Sequence, residues 1–174
     1  VGKLASKVSH AAMHDGRKVL MITSAAENEG KSTVAANLAI SLAQKGKRVV
    51  LVDADMHKPA QYKLLRTEPK CELTQVLRGE KPCAPEQTEQ EGLRAIFSTQ
   101  ARKGAAELLG GNGMRALLEH LRGEADLIIV DTPPMGMFSD AEAIAELADL
   151  SLLVVRQDCV PARHINDVLD ALRQ

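Results

Sequence analysis

The chain has 174 residues, of which 45% are hydrophobic and 26% are charged, so we expect a globular protein with a full core rather than a disordered one. Its net charge of −1 and its aromatic content of 2% give neither a basic field nor stacking platforms, which excludes a nucleic-acid partner. No apolar run approaches the about 20 residues of a membrane span, and the three cysteines form no C-x-x-C motif, which favours the cytoplasm.

Short apolar runs, which predict buried strands, alternate along the chain with segments whose apolar residues recur at helical spacing. Prolines and polar residues between 56 and 91 indicate irregular structure there. In chain order we predict a helix at 3–14, a strand at 18–23, a helix at 31–45, a strand at 48–53, a short helix at 73–77, a mobile loop at 81–90, a strand at 93–98, helices at 105–109 and 114–121, a strand at 126–131, a helix at 141–147, a strand at 150–156 and a helix at 161–172.

The segment between the first strand and the second helix has the layout of a phosphate-binding P-loop, because it ends in Gly-Lys-Ser-Thr and opens a helix. Backbone N–H groups and the positive end of the helix would face one anion. Lys31 would reach the β- and γ-phosphates of a nucleotide, and the Ser32 hydroxyl would bind Mg²⁺. The predicted nucleotide-binding residues are Glu27, Asn28, Glu29, Gly30, Lys31, Ser32 and Thr33.

Aspartates follow two of the predicted strands. Asp53 and Asp55 end the strand at 48–53, and Asp131 follows four apolar residues in the manner of a Walker B motif. Carboxylates beside a phosphate loop can organise Mg²⁺, orient a water or accept a proton from an attacking hydroxyl. The alternative is that Asp53 and Asp55 are only strand-end caps or turn residues.

The alternation of strands and helices predicts an α/β fold, a P-loop NTPase-like three-layer sandwich with a mostly parallel sheet and helices on both faces. The carboxyl ends of its strands share one edge, where ligands bind, and the P-loop and the three aspartates fall at that edge. We expect residues 1–174 to form a single nucleotide-binding domain. Because the sequence begins without Met and ends within a predicted helix, we expect it to be truncated at one or both ends.

Three segments together resemble the Walker A, A′ and B motifs of the bacterial tyrosine kinases (BY-kinases), the CpsD/CapB/Wzc-type domains of capsule and exopolysaccharide systems. They are 24–33, the Asp-Ala-Asp…Lys-Pro stretch at 50–59, and the Asp-Thr-Pro-Pro stretch at 128–134. The resemblance covers most of the chain and implies an ATP- and Mg²⁺-dependent protein-tyrosine autokinase with ATPase activity.

The resemblance also implies roles for individual residues. Lys31 would bind phosphate, Asp53 would act near the attacking hydroxyl, and Ser32, Asp55 and Asp131 would organise the magnesium ion. Lys31, Asp53 and Asp55 would be the catalytic set, with ATP/ADP and Mg²⁺ as cofactors.

The partners implied are a membrane activator of the chain-length-determinant type, which would bring the domain to the inner face of the cell membrane, and a neighbouring subunit whose tail carries acceptor tyrosines. The chain departs from the family at several positions. His57 stands at an arginine position, Gly2 and Ala5 stand at the arginine positions of the N-terminal oligomerisation pattern, and Tyr62 is the sole tyrosine. The sequence therefore neither requires nor excludes a homo-oligomer.

Two other functions compete with the kinase. One is a MinD/ParA-type ATPase switch that dimerises on ATP, although Ala26 stands where such proteins carry a signature lysine. The other is a nucleotide-binding regulatory module without turnover. It is motivated by Ala25 at the first glycine position of the loop, by Asn28 at a position where many relatives carry another glycine, and by the missing acceptor tyrosines.

Overall fold

The computed structural model describes residues 2–26, 30–101, 103–135 and 140–154. These ranges contain seven helices and six strands. In chain order they are α1 (Gly2–Asp15), β1 (Val19–Ser24), α2 (Lys31–Gln44), β2 (Val49–Asp53), α3 (Gln61–Leu64), α4 (Leu73–Leu77), β3 (Glu86–Gln87), β4 (Leu93–Ile96), α5 (Ala105–Leu109), α6 (Asn112–Arg122), β5 (Leu127–Asp131), α7 (Asp140–Ala145) and β6 (Leu150–Val154).

The six strands form one sheet in the order β3-β4-β2-β5-β1-β6. All neighbouring pairs are parallel except β3 and β4, which run antiparallel at the edge. Every residue of β1, β2 and β5 is buried, since helices cover both faces of these central strands, and this explains their uninterrupted apolar runs.

Alternate residues of the central strands enter two separate core clusters. Leu20, Leu51 and Ile129 pack with residues of α1 and α2 on one face of the sheet. Met21 and Val130 pack with residues of α4, α5, α6 and α7 on the other face. The predicted three-layer sandwich with a mostly parallel sheet is therefore confirmed.

Helix α2 begins directly after Gly30, whose φ of 76° lies in the left-handed region that glycine adopts without strain. Its apolar stripe, which includes Ala35, Leu38 and Leu42, is fully buried against the sheet. The helix ends as predicted before Gly46, which has a φ of 89°. This placement fixes the first turn of α2, with Lys31 and Ser32, at the carboxyl edge of the sheet.

Short elements differ from the sequence prediction. Part of the predicted loop at 81–90 forms β3, which pairs with Arg94 and Ala95 of β4. Helix α3 was not predicted, because four residues are too few to show a helical period. Helix α6 starts at Asn112, two residues earlier than predicted, and includes Gly113. The predicted helix at 161–172 lies outside the described residues.

Candidate active site

The strands that carry the three motifs are neighbours in the sheet. Asp131 at the end of β5 lies in register with Ile22 of β1 on one side and with Asp53 of β2 on the other. Because all three strands run in the same direction, their ends converge on the first turn of α2. The fold thus brings together Lys31, Ser32, Asp53, Asp55 and Asp131.

The structure describes some of the remaining residues of the predicted nucleotide loop and not others. Gly30 caps α2, and Thr33 lies exposed in the first turn of that helix. Glu27, Asn28 and Glu29 lie outside the described residues. The described part of the loop therefore comprises its two ends, at Ala26 and at Gly30.

The side chain of Lys31 turns into the protein and is only 6% exposed. Its Nζ lies 2.5 Å from Asp131 Oδ1, 3.3 Å from Asp55 Oδ2 and 3.4 Å from Ser32 Oγ. Burial lowers the pKa of Lys31, but the negative charges of Asp131 and Asp55 outweigh it, so the pKa lies above its ordinary value. Lys31 is therefore a cation held between two buried carboxylates.

Asp53 is fully buried and binds the backbone of the loop that follows it. Its Oδ1 accepts a hydrogen bond from the Asp55 N–H, and its Oδ2 accepts from the Ala60 and Gln61 N–H groups, each at 3.1 Å. Burial and the charge of Asp131 raise the pKa of Asp53 well above its usual range, against the opposing effect of these N–H donors. These contacts are those of a strand-end cap.

Asp55 divides its two carboxylate oxygens between the loop and the site. Oδ1 accepts hydrogen bonds from the backbone N–H groups of His57, at 3.2 Å, and Lys58, at 3.0 Å. Oδ2 faces Lys31. One oxygen therefore fixes the turn, and the other is presented to a cation.

The loop after β5 is attached to the end of β1 by buried hydrogen bonds. The Thr132 hydroxyl donates to the Ile22 carbonyl at 2.8 Å, and the Thr23 hydroxyl donates to the Pro133 carbonyl at 2.9 Å. The Met135 N–H donates to the Ser24 carbonyl at 2.8 Å. These contacts hold the segment after Asp131 against the start of the nucleotide loop.

Two side-chain contacts at this edge of the sheet were not predicted from the sequence. The Gln61 side chain is fully buried beside Asp131 and Ser32, and His57 Nε2 lies 3.1 Å from Oδ2 of the buried Asp140. Gln61 stands in a polar stretch with no periodic pattern, so no sequence signal pointed to it. The His57–Asp140 pair joins residues 83 positions apart, which a single sequence does not reveal.

The donor set suits a magnesium ion. Mg²⁺ prefers carboxylate and hydroxyl oxygens and keeps several waters, and Asp55, Asp131 and Ser32 supply such oxygens. The carboxylates already bind a cation, the Lys31 ammonium, which shows that this position favours positive charge. Among the described residues there is no group of three or more His, Cys, Asp and Glu that would bind a metal by protein ligands alone.

Comparison with known proteins extends these observations. The ParA family model, described as "NUBPL iron-transfer P-loop NTPase", matches residues 16–156. The tyrosine-protein kinase YwqD of Bacillus subtilis is 36% identical over 152 residues, which are 86% of this chain and 64% of that protein. The succinoglycan biosynthesis transport protein ExoP of Rhizobium meliloti is 36% identical over 157 residues, which are 87% of this chain and 20% of that protein. The chain thus spans less than two thirds of both relatives.

Solved structures agree with the sequence relatives. The kinase domain of the Escherichia coli tyrosine kinase Etk superimposes with a TM-score of 0.91 at 31% identity, covering 98% of this chain and 68% of that one. The septum site-determining protein MinD of Pyrococcus horikoshii, solved with Mg-ADP, superimposes with a TM-score of 0.74 at 22% identity, covering 88% of this chain and 65% of that one, and shows the shared fold alone. No helix in the described ranges is both long and apolar enough to cross a membrane. The chain belongs to the bacterial tyrosine kinases, within the ParA-like P-loop NTPases.

Proposed function

We propose that this chain is an ATP-dependent protein-tyrosine kinase domain, with ATPase activity, that regulates capsular or exopolysaccharide biosynthesis and export. The observation that carries the proposal is the cluster at the carboxyl edge of the sheet, where Lys31 lies between Asp55 and Asp131 beside the Ser32 hydroxyl. The kinase names of the relatives and the succinoglycan role in the name of ExoP support the reaction and the pathway.

In this proposal ATP binds at the loop of residues 27–33, and Lys31 exchanges its carboxylate partners for the β- and γ-phosphates. Ser32, Asp55 and Asp131 hold Mg²⁺. When bound, the ion supplies positive charge that neutralises the phosphate oxygens as the γ-phosphoryl group is transferred. The first turn of α2 adds its backbone N–H groups to the same anion.

Asp53 has a different role in this proposal. Its carboxylate accepts hydrogen bonds from three backbone N–H groups of the following loop, one of which is the N–H of Asp55. We therefore propose that Asp53 acts near the attacking hydroxyl indirectly, by fixing the position of Asp55. This assignment retains Asp53 in the functional set, as a positioning residue. The three hydrogen bonds that make Asp53 a strand-end cap are then the same contacts through which it serves the proposed site.

We propose the following partners for a full-length protein of the kind that relatives such as ExoP represent. They are a membrane activator of the chain-length-determinant type, acting at the inner face of the cell membrane, and a neighbouring subunit that offers acceptor tyrosines. Tyr62 is half-buried beside Lys63 in α3, so we propose that the acceptor lies elsewhere.

Phosphate transfer from γ-labelled ATP tests this function. With Mg²⁺, the activator segment and a tyrosine-rich acceptor peptide, we expect labelled phosphotyrosine, and Lys31→Ala should lower the rate at least about 100-fold, because Lys31 neutralises the transferred group. Lys63→Ala is the matched control, since Lys63 is exposed in α3, and it should keep the wild-type rate.

Two outcomes would replace the kinase with one of the competing functions. Release of labelled phosphate without phosphotyrosine, together with dimerisation on ATP, would indicate a MinD/ParA-type switch. Tight ATP binding with neither hydrolysis nor transfer would indicate a regulatory module without turnover.

A further inference from the structure

Gln61, the first residue of α3, has a fully buried side chain inside the candidate site. Its Nε2 donates one hydrogen bond to Asp131 Oδ2, at 2.8 Å, and another to the Ser32 carbonyl, at 2.9 Å. Both partners are acceptors, so the chemistry of the contacts requires the nitrogen of the amide on this side. The orientation of Gln61 is therefore determined by its neighbours.

The same residue joins three parts of the site. Its side chain connects β5, through Asp131, to the first turn of α2, through Ser32, and its backbone N–H donates to Asp53 Oδ2 at 3.1 Å. Asp131 and Ser32 are two of the three proposed magnesium ligands, and they come from elements far apart in the sequence. Gln61 is thus a bridge between ligands that the fold brings together from different directions.

The bridge also separates the two oxygens of Asp131. Oδ2 is occupied by Gln61, whereas Oδ1 faces the ammonium of Lys31. A hydrogen bond to one oxygen restrains the rotation of the carboxylate and favours the orientation in which its other oxygen faces the cation. Groups that bind the ligands of a metal orient them in this way and strengthen metal binding.

We propose that Gln61 is a positioning residue for the magnesium ion, holding Asp131 and the first turn of α2 in the arrangement that binds the metal. The inference rests on the proposed function only in requiring that the site binds a magnesium-nucleotide complex. It assigns Gln61 no contact with the transferred phosphoryl group.

Packing alone does not call for an amide at this position. Gln61 Oε1 is buried and has no hydrogen-bond partner among the residues that the structure describes. A buried carbonyl oxygen without a donor costs stability, and a well-packed apolar residue at this position would avoid that cost. The presence of glutamine at this position is explained by the two hydrogen bonds that its Nε2 donates.

Equilibrium titration with ADP, in Mg²⁺ and in excess EDTA, tests the proposal. Gln61→Met keeps a long unbranched side chain but removes both hydrogen bonds. We expect Mg-ADP to bind about 10- to 100-fold more weakly to this variant, as for other residues that orient metal ligands, whereas ADP in EDTA changes less than about threefold. Gln87→Met is the matched control. Gln87 Nε2 also donates to backbone carbonyls, those of Thr88, Gln90 and Leu93, but it is remote from the site. The Mg²⁺ dependence of ADP binding by this variant should equal that of the wild type.

Equal weakening with and without Mg²⁺, or no weakening in a folded variant, would overturn the proposal, as would ADP binding by the wild type that does not respond to Mg²⁺. Should Gln61→Met fail to fold by circular dichroism, Gln61→Asn replaces it, because the shorter amide keeps polarity but cannot reach both acceptors. The same loss confined to Mg-ADP is expected there. Wild-type protein that binds Mg-ADP but transfers no phosphate to tyrosine would refute the kinase and leave the Gln61 proposal standing.

Discussion

At the residue scale, Asp53 and Asp131 place two fully buried carboxyl groups in register on neighbouring strands. Lys31 neutralises part of this charge through Asp131, whereas the hydrogen-bond donors to the Asp53 carboxylate in the described ranges are backbone N–H groups. Burial and the charge of Asp131 therefore raise the pKa of Asp53. The site concentrates negative charge at the position where the proposed function requires a metal.

The raised pKa of Asp53 predicts a pH dependence of stability. Between the ordinary carboxyl pKa and the raised one, the folded protein binds more protons than the unfolded chain, so the free energy of unfolding falls as pH rises through this window. Asp53→Asn cannot ionise and should lack this fall. The difference in unfolding free energy, variant minus wild type, should increase with pH by at most about 1.4 kcal/mol per unit.

Urea denaturation of both proteins from pH 4 upward measures this difference. Asp126→Asn is the control, because the pKa of Asp126 is lowered, burial being outweighed by the backbone and guanidinium of Arg48. Asp126 therefore stabilises the fold above its ordinary pKa and loses that contribution as pH falls, the opposite trend. A variant-minus-wild-type difference for Asp53→Asn that is flat or falls with pH would show that the pKa of Asp53 is not raised in the folded protein.

The sequence predicted the residues with a local signature and missed those without one. Gly30, Lys31 and Ser32 follow a strand and open a helix, and Asp131 ends an apolar run, so their neighbours indicated their role. Gln61 reaches the site because the Asp53 carboxylate turns the chain back toward it. Such a contact depends on three-dimensional closure of the loop, which no spacing of residue types encodes.

At the scale of elements, the long helices and strands leave a pattern in the sequence, whereas the short ones do not. The central strands and α2 were predicted within one or two residues, because burial on both faces of a parallel strand and on one stripe of a helix leaves a periodic pattern. Elements α3 and β3 span four and two residues, which are too few for a period to appear. They form because the loops that carry them close on Asp53 and on the edge of β4.

The close approach of α6 to α4 depends on a glycine, and this can be tested. A Cβ at Gly113 would lie 2.8 Å from the Leu77 carbonyl oxygen of α4, so only glycine allows the two helices this close. We expect Gly113→Ala to lower the free energy of unfolding by about 1–3 kcal/mol, the usual cost of overpacking.

Gly123→Ala is the matched control for this prediction. A Cβ at Gly123 would meet the His120 carbonyl at an ordinary 3.6 Å, and its φ of −80° suits any residue, so the change should be neutral or slightly stabilising. Equal unfolding free energies for the two variants in urea denaturation would show that α4 and α6 are not in close contact at Gly113.

At the scale of the whole molecule, the sheet order places β1, β5 and β2 side by side, so one edge collects the predicted nucleotide loop, the proposed magnesium ligands and Gln61. The MinD-like neighbour shares this scaffold at 22% identity. Function is therefore decided by the residues at the edge rather than by the fold. We propose that this edge of the sheet is a magnesium-nucleotide site in which Lys31 binds the phosphates.

A crystal structure of the chain with ADP and Mg²⁺ tests that claim most directly. We expect the nucleotide phosphates at the first turn of α2, with Lys31 Nζ moved from Asp55 and Asp131 to the β-phosphate. We also expect a magnesium ion bound by the Ser32 hydroxyl near both carboxylates. Lys31 still paired with Asp131 while nucleotide is bound, or nucleotide bound away from α2, would contradict the claim.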